Sequence, residues 1–201
     1  GRLQALRVLD EASLDTRNWT ERAVRPGTPL AVGWIDMSDP ESLGDDLRFR
    51  GFAAGAARFA RGEGMWWANQ AVYFACTNGG VTRKGQIWRY VPSPYEGTER
   101  ESEEPGTLDL FIEPNEGTLV ENADNLTAAP WGDLIVCEDG NGVDYLLGIT
   151  PAGETYKFGL NQGGQGEFAG SCFSPDGTTL FVNMQGKGLT VAITGPWGRR
   201  V

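Results

Sequence analysis

The chain contains no histidine. That removes Ser-His-Asp and Cys-His triads, histidine-ligated zinc and the histidine general base. Cysteine is scarce as well. Cys76, Cys137 and Cys172 are widely spaced, with no CxxC pair, so they read as buried small hydrophobes rather than a disulfide framework. Basic residues are short: 17 Lys and Arg stand against 27 Asp and Glu, for a formal charge of −10. Such a balance argues against nucleic acid as a partner, because a phosphate-backbone binder needs clustered Lys and Arg. No run approaches the ~18 consecutive apolar residues of a membrane span. No signal peptide is visible, and the chain begins at Gly1 rather than methionine, the start expected of a processed product or a fragment.

What is present is globular in character, with 40% hydrophobic and 22% charged residues in 201. The 29 glycines are about twice the usual share, so turns are frequent. Chemistry is left to carboxylates, arginine, lysine, tyrosine and amides. With so many acids, cation binding is the first candidate.

Residues 1–60 read as an irregular lead-in. Arg2 to Ala12 suits a short helix or a strand, Pro29 to Asp36 one strand, and the Ala-rich Gly51 to Phe59 a short helix. From residue 61 onward, short strand-like runs rich in β-branched and aromatic residues follow one another. They are Ala71–Cys76, Gly85–Tyr90, Leu108–Ile112, Asp133–Cys137, Tyr145–Ile149, Thr155–Phe158, Thr179–Asn183 and Leu189–Ile193. Turn chemistry separates them at Asn78-Gly79-Gly80, Asp139-Gly140-Asn141-Gly142, Pro151-Ala152-Gly153 and Pro175-Asp176-Gly177. The polar, acidic stretch from Ser93 to Pro105 reads as a surface insertion.

Three segments share a grammar: an acid with small or apolar residues, a turn, then an aliphatic strand ending at Asn or Asp. They begin at Glu63, Asp124 and Glu167, at intervals of 61 and 43 residues. A repeat of roughly 40–50 residues built from short strands is the mark of propeller blades. The expected fold is therefore all-β, with about three to four blades. If equivalent acids lie at the same end of successive blades they converge, and converging carboxylates repel unless cations neutralise them. The plainer alternative is turn grammar in an ordinary antiparallel domain, with the acids solvated or capping.

At these residues the sequence resembles the PhoX-type alkaline phosphatase family, in particular its members of unassigned function. The matching blocks are Arg58-Phe59-Ala60-Arg61-Gly62-Glu63-Gly64, Ala71 to Thr77, Gly85-Gln86-Ile87-Trp88, Asp124-Asn125-Leu126-Thr127, Leu134 to Gly140, and Glu167-Phe168-Ala169-Gly170 through Asn183. The resemblance implies a six-bladed propeller with calcium and iron at its centre, acting on phosphate monoesters in an exported, periplasmic or extracellular bacterial protein. It implies a metal-ligating role for Glu63 and for Glu167, and phosphate contact for Arg61. Asp124 and Asp139 both lie in the block where the family supplies an aspartate ligand, and Glu138 adjoins them; the choice among the three stays open. The family's cysteine-bearing upstream half has no counterpart here, and the three strand cysteines do not replace it. The chain thus looks like the C-terminal half of a propeller, completed by another chain or by the missing half. Two functional classes follow: part of a phosphomonoesterase, or a non-catalytic binding or structural subunit. A calcium-lactonase-like propeller has only architecture in its favour.

Among the remaining features, Trp66, Trp67, Trp88, Trp131 and Trp197 are expected to pack between sheets. Asn78 and Asn125 suit Asx turns. Gly163 to Gly166 is expected to be a flexible approach to Glu167, since no strand–GxxxxGK–helix context surrounds it.

Overall fold

The computed structural model describes residues 1–114, 119–140, 142–162 and 166–197. Thirteen strands lie among them, and every pairing between strands is antiparallel. The all-β expectation holds.

Three sheets follow one another along the chain. The first runs as a meander through β3 (Gly62–Ala68), β4 (Ala71–Cys76), β5 (Gln86–Val91) and β6 (Gly106–Ile112). It is extended beyond β6 by β2 (Leu30–Asp36) and β1 (Gln4–Val8). The second is the meander β7 (Ala123–Ala128), β8 (Leu134–Glu138), β9 (Tyr145–Ile149) and β10 (Thr155–Leu160). The third comprises β11 (Phe168–Phe173), β12 (Thr179–Met184) and β13 (Leu189–Thr194). Each predicted strand run falls within a residue or two of an observed strand. The exception lies at the head of each repeat. The acid-led segments expected to precede the strands are themselves the first strands, β3 and β7, or lead directly into one, β11. Glu63-Gly64-Met65-Trp66 lacks the aliphatic alternation that marks a strand, so its pairing with β4 was not legible locally.

Three apolar clusters hold the sheets together. One fills the space between the first and second sheets, with Tyr73, Ile87, Val136, Leu147 and Ile149 buried. Another lies between the second and third sheets, where Leu146, Leu180 and Val182 are fully buried and Trp131, Phe158, Phe173 and Trp197 interlock at centroid separations of 5.7–6.1 Å. The remaining one covers the far face of the first sheet. There Val8, Leu14, Val24 and Val32 from the N-terminal segment pack on Trp88, Leu108 and Leu110. The lead-in is therefore part of the first sheet's core, which its irregular sequence did not announce.

Several local expectations are corrected. The single α-helix among the described residues, α1, spans Leu47–Ala53 rather than Gly51–Phe59. It starts within the polar stretch and stops where Gly55 takes φ 105°. Trp88 is buried and Trp131 and Trp197 pack between sheets, but Trp66 and Trp67 are exposed on β3. Asn125 is not a turn residue; it lies within β7. Cys76 and Cys137 are buried and Cys172 is half-buried, all as free thiols. The segment from Ser93 to Pro105 joins β5 to β6 on the surface and is tied down through Glu96, which accepts from Tyr90 Oη, Trp34 Nε1 and Ser93 N. Gly163 to Gln165 and Asn141 lie outside the described residues.

Candidate functional site

The first strands of the three sheets, β3, β7 and β11, lie side by side. Glycine makes the first contact possible: a Cβ on Gly64 would stand 2.7 Å from both Asn125 Cα and the Asp124 carbonyl oxygen, so β3 and β7 touch backbone to backbone there. The second contact is polar. Asn125 Oδ1 accepts a 2.9 Å hydrogen bond from the backbone N–H of Gly170, which adopts φ 59°.

Each of these strands carries a bulge at the same place. Between Gly62 and Met65 of β3, Ala123 and Leu126 of β7, and Ala169 and Cys172 of β11, three steps oppose two on the partner strand. A bulge re-aims side chains out of the regular alternation. Glu63-Gly64, Asp124-Asn125 and Gly170-Ser171 occupy the three bulges. Glu63 and Asp124 are thus structurally equivalent, whereas Glu167 sits ahead of β11 and the equivalent position there is Gly170. Glu167 reaches the same neighbourhood by a different route, through the turn before its strand.

The carboxylates do gather. The Asp124 carboxyl is pushed above its usual range by burial and then by the charges of Glu63 and Asp139. Glu167 is pushed up to about 7, first by a hydrogen bond shared with the Asp139 carboxyl, then by burial and the charges of Asp139, Asp124 and Asp144. Glu63, Asp124, Asp139 and Glu167 are therefore one electrostatic group, and Asp139 is its hub. Glu138 lies apart from it. It is buried under the β8–β9 connection, where it accepts from the backbone N–H groups of Glu121 at 2.8 Å and Tyr145 at 3.1 Å. Burial raises its carboxyl to about 7. Glu138 ends β8 and turns into the following connection, while Asp139, just past the strand, meets Arg61 and Glu167.

Arg61 faces the acids. Its guanidinium stands 3.4 Å from Glu63 Oε1 and 3.8 Å from Asp139 Oδ2. Its backbone is left-handed, with φ 46°, and its carbonyl accepts from Thr77 N at 3.0 Å. Asn122, one residue before β7 as Arg61 is one before β3, has φ 51° and accepts from Asp139 N at 3.0 Å. Asparagine tolerates that conformation; arginine is strained in it, and such strain concentrates at functional sites. A 440 Å³ cavity opens on the acidic side, lined by Asp139, Gly140, Asp144, Glu167, Gln185 and Gly186. Asp144 was missed in the sequence because it sits inside a turn without a motif; its carboxylate accepts from Gly140 N at 3.1 Å.

The sequence model of the family described as alkaline phosphatase PhoX matches residues 1–188. The chain belongs to the PhoX alkaline phosphatase family. No curated protein and no solved structure matches it. PhoX proteins are metal-dependent phosphomonoesterases at the family level, and two observations bear on whether these residues suit a metal. The donor set is all oxygen, and crowding by its neighbours helps raise the carboxyls of Asp124 and Glu167, as in a site built for a hard cation. It fits calcium by chemistry. Cys76 and Cys137 are buried in two separate apolar clusters, and burial pushes their thiols up to about 12 and about 11. Among the described residues no three His, Cys, Asp or Glu side chains stand in an arrangement that holds a metal ion. No helix among them is long and apolar enough to cross a membrane.

Proposed function

We propose that the chain forms part of a metal-dependent phosphomonoesterase of the PhoX type. The observation that carries this reading is the meeting of Arg61 with four carboxylates at the head of the three sheets. Arg61 would take the phosphate, its planar fork matching two phosphoryl oxygens. Glu63 and Asp139 hold the guanidinium at the edge of the acids. Glu63, Asp124, Asp139 and Glu167 would hold the family's calcium. When bound, such a cation polarises phosphoryl oxygens and lowers the pKa of water. In its absence the Glu167 carboxyl, pushed up to about 7 by its hydrogen bond with Asp139 and by burial, takes up a proton near neutral pH and lowers the charge of the cluster.

In the same reading the three meanders are successive propeller blades, with β3, β7 and β11 nearest the axis. The remaining blades of a six-bladed parent come from another segment or another chain, and the protein is exported. A second reading, a non-catalytic subunit, is favoured by the absence of a metal-holding triad among the described residues.

The test is metal analysis of the purified chain, with hydrolysis of p-nitrophenyl phosphate in calcium and in chelator. Calcium-dependent hydrolysis that is lost in Glu63→Ala supports the enzyme. Hydrolysis absent under every metal condition, with a folded chain, assigns the subunit reading.

A further inference from the structure

On the other side of Arg61 lies a 540 Å³ cavity, formed where α1 and β1 meet the residues leading into β3. Four arginines line it, Arg17, Arg48, Arg58 and Arg61, and among the described residues no acidic one does. In a chain of net charge −10 a wall whose charged side chains are all basic stands out. The arginines are also ordered. Arg17 is held by Asp15 at 2.5 Å and stands 4.0 Å from the Trp19 ring centroid, which Arg83 approaches at the same distance. Arg58 lies 3.7 Å over Phe52 and 3.8 Å from the same Asp15. One carboxylate therefore serves two guanidinium groups, and Arg48 pairs outward with Asp45. Guanidinium groups stacked on aromatic faces are partly desolvated and fixed in direction, a good preparation for an anion.

The rest of the lining is apolar, with Met37, Leu47, Phe49 and Phe52 among it. Phe49 is exposed although it is a large aromatic. Asn78 stands in the wall, and its side-chain oxygen is buried with no hydrogen-bond partner among the described residues. The volume lies within the roughly 300–1,000 Å³ of small-molecule sites, which combine apolar walls with a few placed polar groups.

We propose that this cavity binds the organic portion of the substrate, and that the substrate is a phosphate monoester of an aromatic or similarly apolar alcohol. The inference rests on the phosphomonoesterase reading for the direction of binding. Arg61 lines the cavity and also faces the acids, so a phosphate on Arg61 places its alcohol in the cavity while the phosphorus faces the carboxylates. Arg58 and Arg17 attract the dianion, and Phe49 and Phe52 cover its ring.

The test uses the full chain and three non-hydrolysable probes: methylphosphonate, benzylphosphonate and 1-naphthylmethylphosphonate, titrated by calorimetry. Affinity should rise along that series, by at least about tenfold from first to last, since each ring buries further apolar area. Phe49→Ala, at an exposed position, should reduce that ratio by about threefold or more. Arg58→Gln should weaken all three probes. Equal affinities along the series, or a ratio untouched by Phe49→Ala, overturns the proposal. Hydrolysis of methyl and 1-naphthyl phosphate is measured alongside. Aryl-selective binding without hydrolysis removes the phosphomonoesterase reading and leaves the cavity assignment standing. Hydrolysis without aryl preference does the reverse.

Discussion

The two sides of Arg61 differ in every electrostatic respect. On one side Glu63, Asp124, Asp139 and Glu167 crowd together, and the carboxyls of Asp124 and Glu167 are raised. On the other, arginines line a cavity without an acid among the described residues of its wall. On the acidic side Glu63 and Asp124 are placed by β-bulges on strands that pack together, and Asp139 and Glu167 by the turns next to β8 and β11. The basic side is built by a seven-residue helix, an N-terminal strand and irregular chain, with Arg17 and Arg58 stacked on Trp19 and Phe52. Like charges need external constraint to stay close, whereas an arginine finds an aromatic face or a carboxylate by itself.

The largest expected effect comes from the residue both sides share. Arg61→Ala should lower kcat/KM for an aryl phosphate by about 10²–10³, the usual loss for a group aimed at developing phosphoryl charge. Steady-state kinetics on the folded variant checks this, and a loss under about threefold would show that the two sides act separately. Next is Gly64→Ala. The new methyl would meet Asn125 Cα and the Asp124 carbonyl at 2.7 Å, and backbone cannot swing aside as a side chain can. A destabilisation of about 1–3 kcal/mol in urea is expected, with the exposed Gly62→Ala, where nothing lies within 4 Å, as the mild control.

The third concerns pH. Glu167 and Asp124 have raised carboxyls in the folded chain, so the folded state binds more protons than the unfolded one between the ordinary glutamate range and about 7. The stability these groups give the calcium-free chain should then be complete below the ordinary carboxylate range and be lost as pH rises through about 7. Glu167→Gln should flatten that slope, and added calcium should restore stability at neutral pH. A melting temperature that rises with pH over the same window in chelator would refute the crowding of these acids. The smallest effect is Asn125→Ala, which removes the 2.9 Å bond from Gly170 N. About 1 kcal/mol is expected, read by denaturant melts, and a null result would mean that β7 and β11 are joined by packing alone.

How much of this was legible in order of residues varies with the kind of feature. Ala71–Cys76 and Tyr145–Ile149 announced themselves as strands because alternation and β-branching are local properties. Glu63 and Asp124 stood out because the repeat put them at matching points. Glu167 looked equivalent to them and is not: the bulge register assigns that place to Gly170. Register depends on what a strand pairs with, so spacing alone could not reveal the shift. Glu138 and Asp139 were indistinguishable as neighbours in one acidic block; Glu138 ends β8 and accepts from backbone N–H groups, while Asp139, one residue past the strand, joins the other acids. Trp66 and Trp67 read as core because they are large and apolar, yet composition carries no information about which face of β3 is covered.

The sequence by itself determined the chemistry available and the class of fold. No histidine, an excess of acids, frequent glycine and short alternating runs leave an antiparallel β protein whose reactive groups are carboxylates and arginines. These are properties of residue type and near-neighbour order, which a chain carries before it folds. Which carboxylates meet, that Arg61 stands at their edge in a left-handed turn, and that four arginines line one cavity were decided only by the tertiary structure. Those relations join residues up to a hundred positions apart, and they exist only once the sheets have packed and the bulges have set the direction of each side chain.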